Sequence, residues 1–218
     1  MPAMATSSDV RSESDRRERR RQAMLDAARR LFVERGYDAV SLSEIVKRSG
    51  GSLATLYELF ESKAGLLGAI VASKRFVTHE QIDAVVARGG PPAKMLADIA
   101  DTVIDSFSDD ETIGLMRVVM GETLRDPAFA QSIFRAAHVP AVERLAALFS
   151  GWDAAGQATI PDPMLAVHIF FGLIIHGEQT RAFFGDACAA VLPPREALVR
   201  EATALFVTRY RISEGDAE

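Results

Sequence analysis

The sequence lacks most of what marks a secreted or membrane protein. It has a single cysteine, Cys188, so no disulfide can form within the chain, and a reducing compartment is expected. Residues 1–21 are polar and contain no apolar core of the kind found in a secretory signal. The longest apolar-rich run, Met164–Ile175, is shorter than the roughly 20 residues that span a bilayer. We therefore expect a soluble, cytoplasmic protein without a membrane segment.

The sequence also lacks the common signatures of catalysis and of metal binding. It contains no P-loop, no Gly-x-Ser-x-Gly motif and no dinucleotide fingerprint, so we expect neither an enzyme nor a cofactor. His168 and His176 lie eight residues apart and close to Glu178, but no tight pair of ligands accompanies them. Histidines of the core or of an interface are the better interpretation. Cys188 is expected to be an inert apolar side chain, with a redox sensor as the alternative.

Charge is distributed unevenly along the chain. The 218 residues sum to a net charge of −5, which at first argues against nucleic acid as a partner. Residues 1–75, however, carry 14 Lys and Arg against 10 Asp and Glu, whereas residues 76–218 carry 11 against 20. Such asymmetry indicates a basic module that faces nucleic acid, joined to an acidic body.

Apolar residues recur with helical spacing along nearly the whole chain, which predicts an all-α fold. We expect an N-terminal three-helix helix-turn-helix domain at 15–72 and a larger helical domain at 73–212, between a disordered arm at 1–14 and a disordered tail at 213–218. The predicted helices run from Asp15 to a stop at Gly36, then over Ser43–Ser49, 53–60, Lys63 to about Arg88, Ala93–Phe107, Thr112–Arg125, Ala128–Ala155 (bent near Pro140), Pro163–Phe184 and Arg195–Tyr210.

The segment Ser41–Lys63 (SLSEIVKRSGGSLATLYELFESK) has the layout of a helix-turn-helix, with two short helices on either side of a glycine turn. Ser41 is the expected N-cap of the first helix, and Glu44 completes a capping box. Ser52 is the expected N-cap of the second helix, which in this motif lies in the major groove of DNA. An inner face of Leu56 and Phe60 leaves the remaining side chains to face outward or sideways: Leu53, Ala54, Thr55, Tyr57 and Glu58.

Residues 22–70 resemble the TetR family of bacterial one-component transcriptional regulators in spacing and in residue type. The resemblance rests on these residues: Leu31-Phe32, Gly36-Tyr37, Ser41, Ile45, Ser49-Gly50, Ser52, Thr55-Leu56-Tyr57, Phe60-Glu61-Ser62-Lys63 and Leu66-Leu67. At matching positions it implies double-stranded DNA as partner, with base and groove contacts from Leu53, Ala54 and Thr55, and phosphate contacts from Ser41, Ser52, Tyr57 and Lys63.

Four positions bear on how the DNA would be read. Gly51 stands where valine is typical, so the turn is expected to lose a packing side chain. Ala54 stands where glycine is common. Leu59 replaces a polar residue that is often histidine, and it offers an apolar contact to a thymine methyl instead. Glu58 has two interpretations: its carboxylate accepts a hydrogen bond from cytosine N4, or it faces solvent.

Five arginines, Arg16, Arg17, Arg19, Arg20 and Arg21, crowd the start of the first helix. Cations at a helix N-terminus oppose the helix dipole, so they need another reason to be there. Contact with phosphate or with the minor groove is such a reason, and we expect it of Arg19 and Arg20. A solvated helix start is the alternative.

The acidic body resembles the C-terminal domain of AefR-like members of the family, notably around Ile113–Arg117, Asp126–Phe129 and Phe170–Leu173. The resemblance implies a small-molecule effector, and a homodimer through the helices Pro163–Phe184 and Arg195–Tyr210, the first of which is apolar nearly all round. Candidate pocket residues, each of which could instead be core, are Phe107, Met116, Met120, Phe129, Phe134, His138, Trp152, Phe171 and Phe183.

Together these features predict a dimeric, sequence-specific DNA-binding regulator, most simply a repressor that a small apolar or amphipathic ligand releases from a palindromic operator. Gly51 and Leu59 keep an alternative open, in which the chain is a helical ligand-binding or protein-interaction module whose helix-turn-helix is not used on DNA.

Overall fold

A computed structural model describes residues 7–107, 109–188 and 190–215, and within these ranges it contains helices and no strand. The all-α prediction is therefore confirmed. The helices are α1 Ser7–Arg35, α2 Leu42–Ser49, α3 Leu53–Phe60, α4 Lys63–Arg88, α5 Pro92–Phe107, α6 Asp110–Arg125, α7 Pro127–Ile133, α8 Val139–Ala154, α9 Pro163–Phe184 and α10 Arg195–Tyr210, with a π-helical turn at Phe134–His138 and a 3₁₀ turn at Gly185–Cys188.

The long stretch predicted over Ala128–Ala155 is interrupted where the bend was expected. Helix α7 passes into the π-helical turn, and α8 then begins at Val139 with Pro140 in its first turn. Proline is tolerated at that position because the first N–H groups of a helix have no intrahelical partner. Helical geometry therefore continues through this interruption.

Residues 7–14 and 213–215, which the sequence predicts to belong to a disordered arm and tail, are ordered in the structure. Helix α1 begins at Ser7, so residues 7–14 of the predicted disordered arm are helical, whereas residues 1–6 lie outside the described residues. Extending an existing helix costs far less than nucleating one, which explains the longer helix. At the other end, Ser213 N donates to Gln157 O at 2.7 Å, and Ser213 O accepts from Ala93 N at 3.1 Å. Residues 213–215 are thus tied to the body, and 216–218 lie outside the described residues.

Two hydrophobic cores divide the described chain into a head and a body. The head core is formed by α1–α4 and is completed by Leu115 of α6 and Phe129 of α7. The body core surrounds Phe149, Phe170 and Phe206 and includes the second half of α4. The boundary predicted after residue 72 thus falls inside one continuous helix, and residues 15–72 do not by themselves supply the whole head core.

The body contacts the head along α6. Gly114 packs on Val33 of α1, where a Cβ added to the glycine would lie 2.7 Å from Val33 Cγ1. Arg29 of α1 pairs with Glu111 near the start of α6, and Arg125 at its end pairs with Asp38 in the loop after α1. Helix α6 is therefore held against the head at three points: Glu111 near its start, Gly114 one turn later, and Arg125 at its end.

Candidate nucleic-acid interface

Helix α2 begins at Leu42, one residue before the predicted start, and ends at Ser49 as its sequence predicts. Ser41 Oγ accepts from Glu44 N at 3.2 Å, and the Glu44 carboxylate accepts from Ser41 N at 2.9 Å, which confirms the capping box. The backbone hydrogen bond from Ser41 is the main reason why the pKa of Glu44 is lowered. Gly50 ends the helix with a φ of 77°, a left-handed conformation that favours glycine.

The turn before α3 is filled from α1. A Cβ on Gly51 would lie 2.3 Å from Met24 Cε, so the methionine methyl occupies the space that a valine side chain would need. Met24 is buried in the head core. The expectation that the turn loses packing is therefore wrong, since a flexible side chain from another helix replaces the missing one.

Helix α3 presents its outer side to solvent. Ser52 caps it, because its Oγ accepts from Thr55 N at 3.1 Å and lies 2.8 Å from Thr55 Oγ1. Leu56 and Phe60 are buried, as the spacing predicts. The side chains that remain exposed are Leu53, Ala54, Tyr57 and Glu58, whereas Thr55 and Leu59 are half-buried and Leu59 packs on the head core.

Lys63, a predicted phosphate contact, also has a structural role. Its Nζ donates to the carbonyl oxygen of Tyr37 and lies 4.3 Å from the centre of the Tyr37 ring. Partial burial lowers the pKa of Lys63, while burial, reinforced by carboxylates such as Glu122, raises the pKa of Tyr37 to about 12. An ammonium has three N–H groups, so this arrangement leaves donors for a second partner.

The N-terminal half of α1 extends beyond the head core. Residues 13–20 are all exposed, Arg19 and Arg20 among them, and the first buried residue that follows them is Met24. Arg17 Nη2 lies 3.5 Å from Glu58 Oε1, and the Arg21 guanidinium lies 5.8 Å from the centre of the Phe60 ring. The Arg17–Glu58 pair was not predicted. The only sequence signal for it is the i, i+4 spacing of Arg17 and Arg21, which places both arginines on one face of α1.

The candidate ligand residues differ in burial and in surroundings. Trp152 is buried against Phe149 with ring centres 5.4 Å apart, and Phe129 belongs to the head core. Phe134 and His138 are exposed and stack with ring centres 5.2 Å apart, and His138 also stacks on His168 at 6.0 Å. Phe183 is exposed, whereas the half-buried candidates are Phe107, Met116, Met120 and Phe171.

Two cavities open on the body. One of about 540 Å³ lies between α5 and α10 and includes Ala97 and Thr203 in its lining, and another of about 420 Å³ is walled by α5, α9, α10 and the loop before α10. Glu178 and Arg181, which pair at 3.3 Å, line the smaller cavity. The described lining of these two cavities contains none of the predicted ligand residues, so that prediction stays a prediction.

Residues 7–107, 109–188 and 190–215 contain no group of three His, Cys, Asp or Glu side chains placed to hold a metal ion. Over those same residues, no helix combines the length and the apolar character that crossing a bilayer requires. Cys188 is buried, and its Sγ donates to Gly185 O at 3.0 Å.

An apolar face on α9 points away from the core. Val167, Phe170 and Ile174 are buried, whereas apolar side chains on the other side of α9 and on neighbouring α10 are between 42% and 67% exposed; these are Leu165, Ile169, Phe183 and Leu205. Exposed apolar side chains grouped in this way are typical of an interface between proteins.

Comparison with known proteins agrees with this architecture. Residues 24–70 match the profile of bacterial regulatory proteins of the TetR family, and residues 94–212 match the AefR-like transcriptional repressor C-terminal domain. The repressor ComR of Escherichia coli K12 is 43% identical over 51 residues, which are 23% of this chain and 24% of ComR. The HTH-type regulator YvkB of Bacillus subtilis is 27% identical over 198 residues, 84% of this chain and 93% of YvkB.

A solved structure of a TetR-family protein from Mesorhizobium loti has the same fold, with a TM-score of 0.76, 23% identity, and 89% of this chain and 98% of that one covered. The second profile match spans more than half of the chain, and the capped α2 and α3 lie within the first match. The chain therefore belongs to the TetR family of DNA-binding transcriptional regulators and carries an AefR-like C-terminal domain.

Proposed function

We propose that this protein is a homodimeric repressor that binds a palindromic operator through Ser41–Lys63 and releases it when a small apolar or amphipathic molecule binds in the body. The observation that carries the proposal is α3, a capped helix anchored by buried Leu56 and Phe60 whose outer side is exposed. Since its target is the genome, the protein acts in the cytoplasm.

The exposed side of α3 supplies groups suited to both kinds of DNA contact. Ala54 and the partly exposed Leu53 and Thr55 lie in the first turn, where a recognition helix reaches base edges. Ser52 places the positive end of the helix dipole at the same point, which suits a phosphate. The exposed hydroxyl of Tyr57 and the remaining N–H groups of Lys63 bind phosphates on either side, with Ser41, Arg19 and Arg20 further out.

A second copy of the chain covers the apolar face of α9 and α10. The exposed residues Leu165, Ile169 and Phe183 follow helical spacing along one side of α9, and Leu205 is exposed on α10, which packs against α9. A twofold axis through this face brings four helices together and carries one head at each end of the dimer. Two heads about one helical turn apart (~34–36 Å) match the two half-sites of a palindrome.

Release follows from the contact between α6 and the head. A ligand that binds better to a body with displaced α6 shifts the population toward heads that no longer match the half-sites. The contact of Gly114 with Val33 and the ion pair between Arg125 and Asp38 carry that displacement to α1 and to the loop before α2. The loss of DNA affinity cannot exceed the preference of the ligand for the displaced state.

The test is a salt series. Binding of the full chain to a duplex from the region upstream of its own gene is measured by fluorescence anisotropy, with a scrambled duplex of the same length as control. We expect the specific duplex to bind at least a thousandfold more tightly, with log K falling linearly as log[salt] rises. Equal binding to both duplexes at moderate salt would contradict the proposal and favour a body whose helix-turn-helix is not used on DNA.

A further inference from the structure

We propose that Glu58 determines operator specificity: its carboxylate accepts a hydrogen bond from the exocyclic amino group of a cytosine, after Arg17 has left it for a DNA phosphate. This inference rests on the proposed function, because it concerns the same interface. It goes further by assigning a base preference to one residue and by giving the N-terminal extension of α1 a part in reading DNA.

Glu58 lies in the middle of the surface that α3 turns toward DNA. It follows Ala54 by one helical turn, on the side opposite buried Leu56 and Phe60, and its side chain is 67% exposed. It is also the only charged residue between Leu53 and Phe60. A recognition helix that carries a single charge, of the same sign as DNA, needs a reason to carry it.

Arg17 pairs with this carboxylate in the free protein. Arg17 and Arg21 lie one turn apart on α1, and they reach Glu58 and Phe60 of α3 respectively. Both members of the Arg17–Glu58 pair are about two-thirds exposed, and Nη2 and Oε1 are 3.5 Å apart. An exposed pair with this geometry is weak, so it opens easily when a better partner for either charge arrives.

DNA offers such a partner to each of them. A phosphate binds a guanidinium through two parallel charge-assisted hydrogen bonds, and the exchange releases a condensed counterion from the DNA. Arg17 therefore gains by moving from Glu58 to a phosphate. Glu58 is then left with both oxygens free, facing the floor of the major groove.

The chemistry of the groove selects the base. A carboxylate can only accept hydrogen bonds, whereas guanine presents two acceptors and thymine presents an acceptor and a methyl group. Adenine has a donor at N6, but the acceptor N7 lies beside it and repels a carboxylate. Cytosine N4 is a donor with an acceptor on one side only, the O6 of the paired guanine, whereas adenine N6 lies between two acceptors, so Glu58 favours a C·G pair.

The experiment is selection of binding sites from a random duplex library at moderate salt, with the full-length protein and its variants. We expect the wild-type consensus to contain one C·G pair in each half-site that Glu58→Ala no longer selects, with a loss of roughly tenfold or more in discrimination at that pair. Glu58→Gln is expected to select A·T there instead, since an amide matches adenine N6 and N7.

Arg17→Ala tests the other half of the exchange. We expect weaker binding to every sequence with an unchanged consensus, and a salt slope reduced by about 0.9, the value for one phosphate contact. Asp83→Ala is the matched control for Glu58→Ala, because Asp83 is also an exposed carboxylate paired with an arginine, Arg144, at 3.0 Å, but it lies in the body. It should change neither the consensus nor the slope.

Three outcomes would overturn the inference. Tighter binding of Glu58→Ala to all sequences, with the wild-type consensus, would make the carboxylate a purely repulsive group. An unchanged consensus and affinity would mean that Glu58 does not meet DNA. A salt slope unaltered in Arg17→Ala would exclude the exchange. If the wild-type protein itself selects no consensus, the proposed function fails and the inference fails with it, and this result is distinct from the other three.

Discussion

Gly114 of α6 lies so close to Val33 of α1 that the two helices touch where a side chain is missing. A Cβ on the glycine would lie 2.7 Å from Val33 Cγ1, 3.5 Å from Cγ2 and 3.6 Å from Cβ. The branched valine cannot swing away as a long flexible side chain can, because its χ1 is restricted in a helix. The distance between body and head is therefore set by the absence of a side chain at Gly114.

Gly114→Ala should lower the stability of the protein. The added methyl group forces α6 and α1 apart, and overpacking of this kind costs about 1–3 kcal/mol. Gly121→Ala, in the same helix, has nothing within 4 Å of the added Cβ and should stabilise the protein by about 0.5–1 kcal/mol. Thermal or urea unfolding of both variants checks the prediction, and equal effects would contradict it.

The double variant Val33→Ala with Gly114→Ala provides a further control for this contact. Removing the two Cγ atoms of Val33 makes room for the new methyl group. The double variant should therefore be more stable than the sum of the two single changes predicts, as expected for residues in contact. Strict additivity would place the strain of Gly114→Ala elsewhere.

Ile169→Glu should convert the dimer into monomers. Ile169 lies in the middle of the exposed apolar face of α9, and pairing of two such faces would bury an uncompensated carboxylate on each side. Leu124→Glu is the matched control, because Leu124 is an apolar residue of α6 that is 87% exposed and lies outside this face. Sedimentation velocity should show a monomer for the first variant and a dimer for the second.

The helices of the head follow from signals that lie close together in the sequence. Ser41, Ser52 and Ser62 each cap the helix that follows, and Gly50 ends α2. Each of these contacts spans three or four residues, so pattern and propensity suffice to predict them. For the same reason α4, α9 and α10 begin and end where the spacing predicts.

Contacts between distant parts of the chain could not be predicted in this way. Leu115 and Phe129 complete the head core, although they follow the helix-turn-helix by more than fifty residues. Met24 fills the space over Gly51, and Lys63 binds the Tyr37 carbonyl. Each depends on how helices pack rather than on local sequence. The resemblance to the family indicates where the helices lie, but it does not say which side chain packs at each of these contacts.

Tyr37 should ionise at a higher pH than an ordinary tyrosine. Burial, reinforced by nearby carboxylates, raises its pKa from 10.0 to about 12 in the folded protein. Because folding raises this pKa, the folded protein holds the Tyr37 proton more tightly than the unfolded chain does. The resulting contribution to the free energy of unfolding is fully present below pH 10 and is lost between about pH 10 and pH 12. Absorbance at 295 nm during an alkaline titration should show a late component that Tyr37→Phe lacks. A component completed near pH 10 would contradict the assigned burial.

Tyr57→Phe and Thr55→Ala should separate phosphate contact from base reading. Tyr57 is 52% exposed, so loss of its hydroxyl leaves stability unchanged but weakens binding to every sequence roughly two- to tenfold. The salt slope stays the same, since the hydroxyl carries no charge, whereas Lys63→Met lowers it by about 0.9.

Thr55→Ala should instead alter the preference among operators, and Thr55→Ser, which keeps the hydroxyl beside Ser52, should retain most of that preference. Anisotropy titrations on a set of single-base operator variants measure both effects; parallel losses by the Tyr57 and Thr55 variants on every operator would show that the two residues do not have separate roles.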